Sequence, residues 1–162
     1  IYLNQALINK EVDKNILWWK YLLSIPLSLT LVQSVIGVRL SSTWSAHLCL
    51  SMNQNCIVLN SHKLFAIPVF ISVITIILVS FLKFDLFKNN WKFLISAFLL
   101  LISQITLGIL SLKTNLSEPL IIISHQIVAS LMVATLSSLI FKNSSENISI
   151  NSTKNNVILS FN

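Results

Sequence analysis

Residues Ile57–Leu82 read IVLNSHKLFAIPVFISVITIILVSFL, and this stretch decides the fold. It is longer than the roughly 20 apolar residues that an α-helix needs to cross a bilayer. Its one charged residue, Lys63, lies near its beginning. The stretch therefore predicts a transmembrane helix. This helix also carries a histidine, His62, about a turn and a half from its first residue.

Three further apolar stretches have the length of a membrane span: Ile16–Val38, Phe93–Leu112 and Pro119–Phe141. Hydrophobic residues make up 54% of the 162 residues and charged residues only 10%. That composition is too apolar for a soluble globular protein of this length. We predict an all-α integral membrane protein, an antiparallel bundle of four transmembrane helices that occupies residues 16–141.

The two ends of the chain are more polar than this bundle. We predict a polar N-terminal segment or linker at residues 1–15. Residues 142–162, rich in Asn, Ser and Lys, are predicted to form a flexible cytoplasmic tail. Because the chain begins at Ile1 and not at a methionine, we expect it to be a piece of a longer protein.

Basic residues give the chain a net charge of +6 and lie mostly at the ends of the apolar stretches. They are most numerous before the first stretch, between the second and third, and after the fourth. Since an excess of Lys and Arg marks the cytoplasmic side of a membrane, we expect both termini to be cytoplasmic and the Arg39–Cys56 loop to lie outside. We interpret these cations as contacts with the lipid bilayer and expect no nucleic-acid partner.

Two short motifs occur twice. Gln33–Gly37 (QSVIG) is followed by Gln104–Gly108 (QITLG), and Ser61–Ala66 (SHKLFA) is followed by Ser124–Ala129 (SHQIVA). The chain has only two glycines, and both end the first motif. We therefore predict a bundle made of two repeated helix hairpins, related by a pseudo-twofold axis along the membrane normal.

The repeat places His62 and His125 at a similar depth in two helices that run in the same direction. An ionisable residue inside a membrane is costly and marks a candidate functional site. Two imidazoles facing across a bundle can bind a metal or a haem iron from both sides, so both are candidate metal ligands. The alternative is that they only form hydrogen bonds between helices. Gly37 and Gly108 either leave room for a flat macrocycle or allow close helix contact.

The outer ends of the helices hold the remaining candidates. Lys63 and Arg39 are cations that would pair with the propionates of a bound haem. Cys49 and Cys56, the two cysteines, share the outer loop and are predicted to form a disulfide there. A structural role and a redox role for this pair both stay open, as does the role of His47.

Together these residues resemble the haem A synthase family. Its members have eight transmembrane helices in two homologous halves, and this chain is similar to one half over residues 16–141. The resemblance rests on Gln33 with Gly37, the Cys49 and Cys56 pair, Ser61-His62, Gln104 with Gly108, and Glu118-Pro119-Leu120 through Ser124-His125-Gln126. It implies that these glutamines, glycines and histidines form a haem-binding site, to which the position of Lys63 adds a candidate partner for the propionates.

The catalytic, N-terminal half of that family has a carboxylate three residues before the histidine of its second helix. Here that residue is Leu59, and Ile122 precedes His125 by the same spacing. The chain therefore resembles the C-terminal half, which holds a permanent haem b and is thought to pass electrons. The family oxidises the methyl group of haem o to a formyl group, which gives haem A for cytochrome oxidase.

By this resemblance the chain is expected to bind haem b and relay electrons in a membrane oxidoreductase, without catalysing the oxidation alone. The expected partner is the N-terminal catalytic half of the same enzyme, with haem o synthase as a further candidate. The expected location is a bacterial plasma membrane or another energy-transducing membrane. The alternative from the residues themselves is a free-standing four-helix cytochrome b with two histidine ligands, in another electron-transfer chain.

Overall fold

A computed structural model describes the backbone of residues 2–41 and 56–159, and the side chains of residues 18–41, 56–84 and 86–143. Within those residues every regular element is an α-helix. The four helices are α1 (Tyr2–Ser41), α2 (Ile57–Leu82), α3 (Phe84–Lys113) and α4 (Pro119–Leu159). The predicted all-α class with four helices is confirmed.

Each helix contains a segment long and apolar enough to cross a membrane. These segments are Trp18–Ser41, Ile57–Leu82, Leu86–Lys113 and Pro119–Asn143. The second agrees with the predicted stretch at both ends, and the fourth begins at the predicted residue. The third begins at Leu86, earlier than the predicted Phe93, because the polar residues before Phe93 continue the helix.

Helices α1 and α4 extend beyond their apolar segments. The backbone of α1 is helical from Tyr2, and that of α4 is helical to Leu159. These extensions include most of residues 1–15 and 142–162. Their assignment as a linker and a flexible tail stays a prediction.

Short connections make successive helices antiparallel. Lys83 alone separates α2 from α3, and residues 114–118 join α3 to α4. In the second connection the N–H of Leu116 donates a hydrogen bond to the carbonyl of Ser111 at 3.0 Å. Asn115 and Leu116 have φ angles of 50° and 58°, the left-handed conformation that often ends a helix. Asparagine tolerates this conformation better than leucine does.

The helices pack as a closed ring. Helix α1 packs against α2 and α4, and α3 packs against the same two helices. Helices α2 and α4 therefore face each other across the bundle, and these are the two helices that carry His62 and His125.

The bundle is packed differently along its length. A buried apolar cluster fills the half nearer the Lys83 turn. Its members are Trp19, Leu23, Val69, Val73, Ile76, Leu94, Leu101, Met132, Leu136 and Leu139. Burial of these side chains stabilises the assembly of the four helices. The opposite half, where both histidines lie, contains a cavity instead.

Candidate functional site

A cavity of about 510 Å³ lies inside the half of the bundle that is farther from the Lys83 turn, and all four helices contribute to its wall. This volume is in the range of about 300–1,000 Å³ that is usual for cofactor and ligand pockets. His62 from α2 and His125 from α4 both line it. Their ring centres are 6.4 Å apart and their planes make an angle of 69°. The structure thus brings together the two histidines that the repeat singled out.

A glutamine of the preceding helix binds each histidine through its backbone. Gln33 Nε2 donates to the carbonyl of His62 at 2.9 Å, and Gln104 Nε2 donates to the carbonyl of His125 at 2.7 Å. The contact is the same in both hairpins, so the sequence repeat extends to side-chain geometry. Each bond fixes one histidine-bearing helix against its neighbour at the level of the imidazole.

The two imidazole rings differ in their polar contacts. The Nε2 atom of Gln33 lies 3.2 Å from Nδ1 and 3.3 Å from Nε2 of His62. The Nδ1 atom of His125 is buried and has no hydrogen-bond partner, and the same holds for Oε1 of Gln33. A buried polar atom without a partner costs free energy. A metal ion or a polar ligand in the cavity would remove that cost at His125.

The glycines of the repeat lie beside these rings. A Cβ atom built on Gly37 would be 3.1 Å from Cε1 of His62, and one built on Gly108 would be 3.5 Å from Cε1 of His125. The side-chain space that each glycine leaves is therefore next to an imidazole of the adjacent helix. The sequence suggested that the glycines leave room for a macrocycle or allow close contact between helices. The contact with an imidazole was not predicted, and it is compatible with both. In each hairpin the glutamine and the glycine, four residues apart, both lie next to the same histidine.

The difference between these two distances gives a testable prediction for thermal stability. In Gly108→Ala the new methyl group meets His125 at ordinary contact distance, and alanine is favoured over glycine in a helix by about 1 kcal/mol. In Gly37→Ala the imidazole of His62 must move, and such overpacking typically costs about 1–3 kcal/mol. We expect Gly37→Ala to melt at a lower temperature than Gly108→Ala in detergent. Equal midpoints would show that His62 moves aside freely.

Within the described residues, the wall of the cavity carries one cation and no acid. Lys63 is exposed and lines the cavity, whereas Arg39 is exposed but lies outside the lining residues. Among the described residues that line the cavity there is no Asp or Glu. Leu59 and Ile122, which stand three residues before the histidines, are both part of the wall. The apolar side chains at these positions therefore border the same space as the imidazoles.

The chemistry of the donor set limits which metal group would fit. A metal held by the protein alone needs three or four protein ligands. No group of three His, Cys, Asp or Glu residues suited to a metal occurs in the part of the chain that the structure describes. Two imidazoles suffice only for a metal that brings its other ligands with it, as a porphyrin does for iron. The histidine pair and the cavity therefore fit a haem.

Cys56 marks the beginning of α2. Its Sγ accepts a hydrogen bond from the N–H of Leu59 at 3.4 Å, which caps the helix. Cys49 and His47 lie outside the described residues. The Cys49–Cys56 disulfide, and its location on the outer face, stay predictions.

That disulfide is tested by alkylation. We expect membranes treated with an alkylating agent without reductant to contain neither Cys49 nor Cys56 in alkylated form, because a disulfide does not react. After reduction both should be modified in the mass spectrum. Two alkylated thiols in freshly isolated, unreduced membranes would show that the pair is reduced.

One contact near the site was not expected from the sequence. Gln126 Nε2 donates to Oγ of Ser41 at 2.9 Å and links α4 to α1 beside His125. Gln126 belongs to the repeated Ser-His motif, but nothing in the sequence indicates that its side chain contacts Ser41. Only the packing order of the helices shows that they meet.

The chain was compared with models of protein families, with characterised proteins and with solved structures, and none of the three comparisons gives a match. The basis for a functional conclusion is therefore the site itself. It consists of two imidazoles facing across a cavity in a four-helix bundle, each held by the same glutamine contact.

Proposed function

We propose that the chain binds haem b between His62 and His125 and serves as the electron-relaying half of a membrane haem A synthase. The observation that carries the proposal is the 6.4 Å between the imidazole centres across the cavity. Two imidazoles that bind one metal ion from opposite sides, each with a nitrogen about 2 Å from it, have centres about 6 Å apart. The spacing suits a single iron bound from both sides.

The residues of the chain have distinct parts in this proposal. His62 and His125 hold the iron, and Gln33 and Gln104 keep the two helices in register through the histidine carbonyls. The two repeat glycines leave the imidazoles room beside the neighbouring helices. When bound, haem b would accept and donate single electrons. The mostly apolar wall limits water around it, which tunes its reduction potential.

Lys63 is the residue proposed to bind the haem carboxylates. It is the one cation on the cavity wall within the described residues, and it is exposed at the outer end of α2. A charge-assisted bond to a propionate would fix which edge of the macrocycle faces outward.

The assignment to one half of the enzyme rests on the acid-free wall and on the family resemblance. Proton transfer during the oxidation of haem o needs an acid or base within hydrogen-bond reach of the reacting group. Leu59 and Ile122 border the cavity where such a carboxylate would stand. The oxidation would then occur in the partner, the N-terminal catalytic half, with haem o synthase supplying its substrate. The basic residues orient both termini toward the cytoplasm of an energy-transducing membrane.

A free-standing cytochrome b with the same two ligands is the second candidate. The same acid-free cavity favours it, since electron transfer needs no proton donor. A Glu-x-x-His motif on a helix encoded upstream of Ile1 would support the synthase, and an unrelated upstream sequence would support the free-standing cytochrome.

The decisive experiment is the absorption spectrum of the purified 162-residue chain from a haem-replete host. Upon reduction we expect a low-spin b-type spectrum, with extracted haem b stoichiometric with the protein. Gln33 also contacts the ring nitrogens of His62, an arrangement that suits histidines that only bridge helices. A folded, helical chain without haem would establish that bridging role and refute the proposal.

A further inference from the structure

The two hairpins meet along two helix–helix boundaries, α1–α4 and α2–α3, which we call seams. The two seams differ. At the α1–α4 seam Gln126 donates a hydrogen bond to Ser41. The spacing that relates the two glutamine–histidine contacts places Lys63 and Leu112 at the corresponding positions of the α2–α3 seam. Leu112 has no side-chain hydrogen-bonding group. The bond that closes one seam therefore has no counterpart at the other.

The side chains at the two seams also differ in their exposure to the surroundings. Six residues that border the α2–α3 seam are all exposed: Lys63, Ala66 and Phe70 of α2, with Ile105, Ile109 and Leu112 of α3. Their six counterparts border the α1–α4 seam: Gln126, Ala129 and Val133 of α4, with Ser34, Val38 and Ser41 of α1. Of these counterparts only Val38 is exposed. The repeat makes the two seams equivalent in sequence position, but the α2–α3 seam is the more open of the two.

The exposed residues of the α2–α3 seam also line the cavity, all six of them. Each therefore borders the interior space and the outer surface of the bundle. Phe70, Ile105 and Ile109 are apolar and lie within the membrane-spanning segments. At this seam the cavity reaches the surface that faces lipid.

We propose that the cavity is filled sideways from the bilayer, through the α2–α3 seam, and that the molecule admitted is haem. This inference rests on the proposed function. Haem is a flat, largely apolar macrocycle with two carboxylates at one edge, and it partitions into membranes. The apolar middle of the seam suits the macrocycle. Lys63, at the outer end of the seam, provides a cation for the carboxylates.

The repeat supplies a matched pair of variants, because Ala66 and Ala129 occupy equivalent positions on the cavity wall. Ala66→Phe narrows the α2–α3 seam, and Ala129→Phe adds the same side chain at the α1–α4 seam. Both remove the same volume from the cavity. Apoprotein of the full chain, in phosphatidylcholine vesicles, is mixed with haem b dissolved in the same lipid. The rise of the low-spin absorption band gives the loading rate.

We expect Ala66→Phe to load several-fold more slowly than Ala129→Phe. A second variant, Lys63→Gln with Leu112→Ser, copies the α1–α4 hydrogen bond into the α2–α3 seam, and it is compared with Lys63→Gln alone, which already lacks the cation. It should slow loading by about fivefold, the factor that corresponds to a hydrogen bond worth about 1 kcal/mol.

The outcomes separate this inference from the function on which it rests. Equal loading rates in Ala66→Phe and Ala129→Phe, with normal final spectra, would overturn the seam as the route and leave haem binding intact. Faster loading in Ala66→Phe than in Ala129→Phe would place the route at the α1–α4 seam. A wild-type chain that takes up no haem would overturn both proposals.

Discussion

Replacing either His62 or His125 with alanine is expected to remove most of the low-spin b-type absorption from the purified chain. Each imidazole is one of only two ligands that the protein offers to the iron in this proposal. The remaining described residues on the wall of the cavity include no other imidazole, thiol or carboxylate, and a replacement by the thioether of Met132 or the amine of Lys63 would itself change the spectrum. Axial ligands set the electronic properties of haem iron, so any haem that stays bound should show an altered spectrum.

The measurement is the reduced-minus-oxidised difference spectrum, with extracted haem normalised to protein. His47→Ala is the matched control, because it makes the same chemical change at the third histidine of the chain. We expect that control to keep the wild-type spectrum. Helical content by circular dichroism separates loss of haem from loss of the fold. An unchanged spectrum in both His62→Ala and His125→Ala would refute the ligand assignment.

The chain by itself is expected to produce no haem A from haem o. By the family resemblance, the oxidation of the methyl group to a formyl group uses a second haem site, and it needs a group that handles protons at the substrate. Leu59 and Ile122 are apolar residues of the cavity wall, at the two positions where a carboxylate would be next to a histidine. Glu118 lies instead at the start of α4, where its carbonyl accepts from the N–H of Ile122.

The test expresses residues 1–162 in a host that makes haem o and has no synthase of its own. Extracted haems are separated by chromatography, and we expect haem o and haem b only. A complete eight-helix synthase expressed in the same host is the positive control and should give haem A. Haem A from the 162-residue chain would show that the wrong half has been assigned.

The sequence predicted the transmembrane helices well where polar residues end an apolar run abruptly. Helix α2 begins after Cys56 and ends before Lys83, as its composition indicated. The third stretch was predicted to begin at Phe93 because Lys83, Lys88 and Lys92 were assigned to the connection before it, whereas the apolar span begins at Leu86. In the structure Asn90 is buried, and its Nδ2 donates to the carbonyl of Leu86 within the same helix. A polar side chain bonded in this way need not end a span.

The site could be predicted only in part. Equal spacing from the helix starts predicted that His62 and His125 lie at one level, and the structure brings the rings together. The contacts of Gln33 and Gln104 with backbone carbonyls could not be predicted, because they depend on the rotation of each helix and on side-chain rotamers. The difference between the seams could not be predicted either, since it requires knowing that α1 packs against α4.

The covalent connection between the hairpins allows the two seams to differ. Two identical hairpins assembled as a symmetric dimer would have identical interfaces, and a substitution in one would appear in the other. In a duplicated and fused chain each copy can diverge. Gln126 and Ser41 form a hydrogen bond across one interface. The equivalent residues at the other interface, Lys63 and Leu112, do not form that bond. The proposed entry of haem through one side only is therefore compatible with a fused chain, whereas a symmetric homodimer would have two equivalent routes.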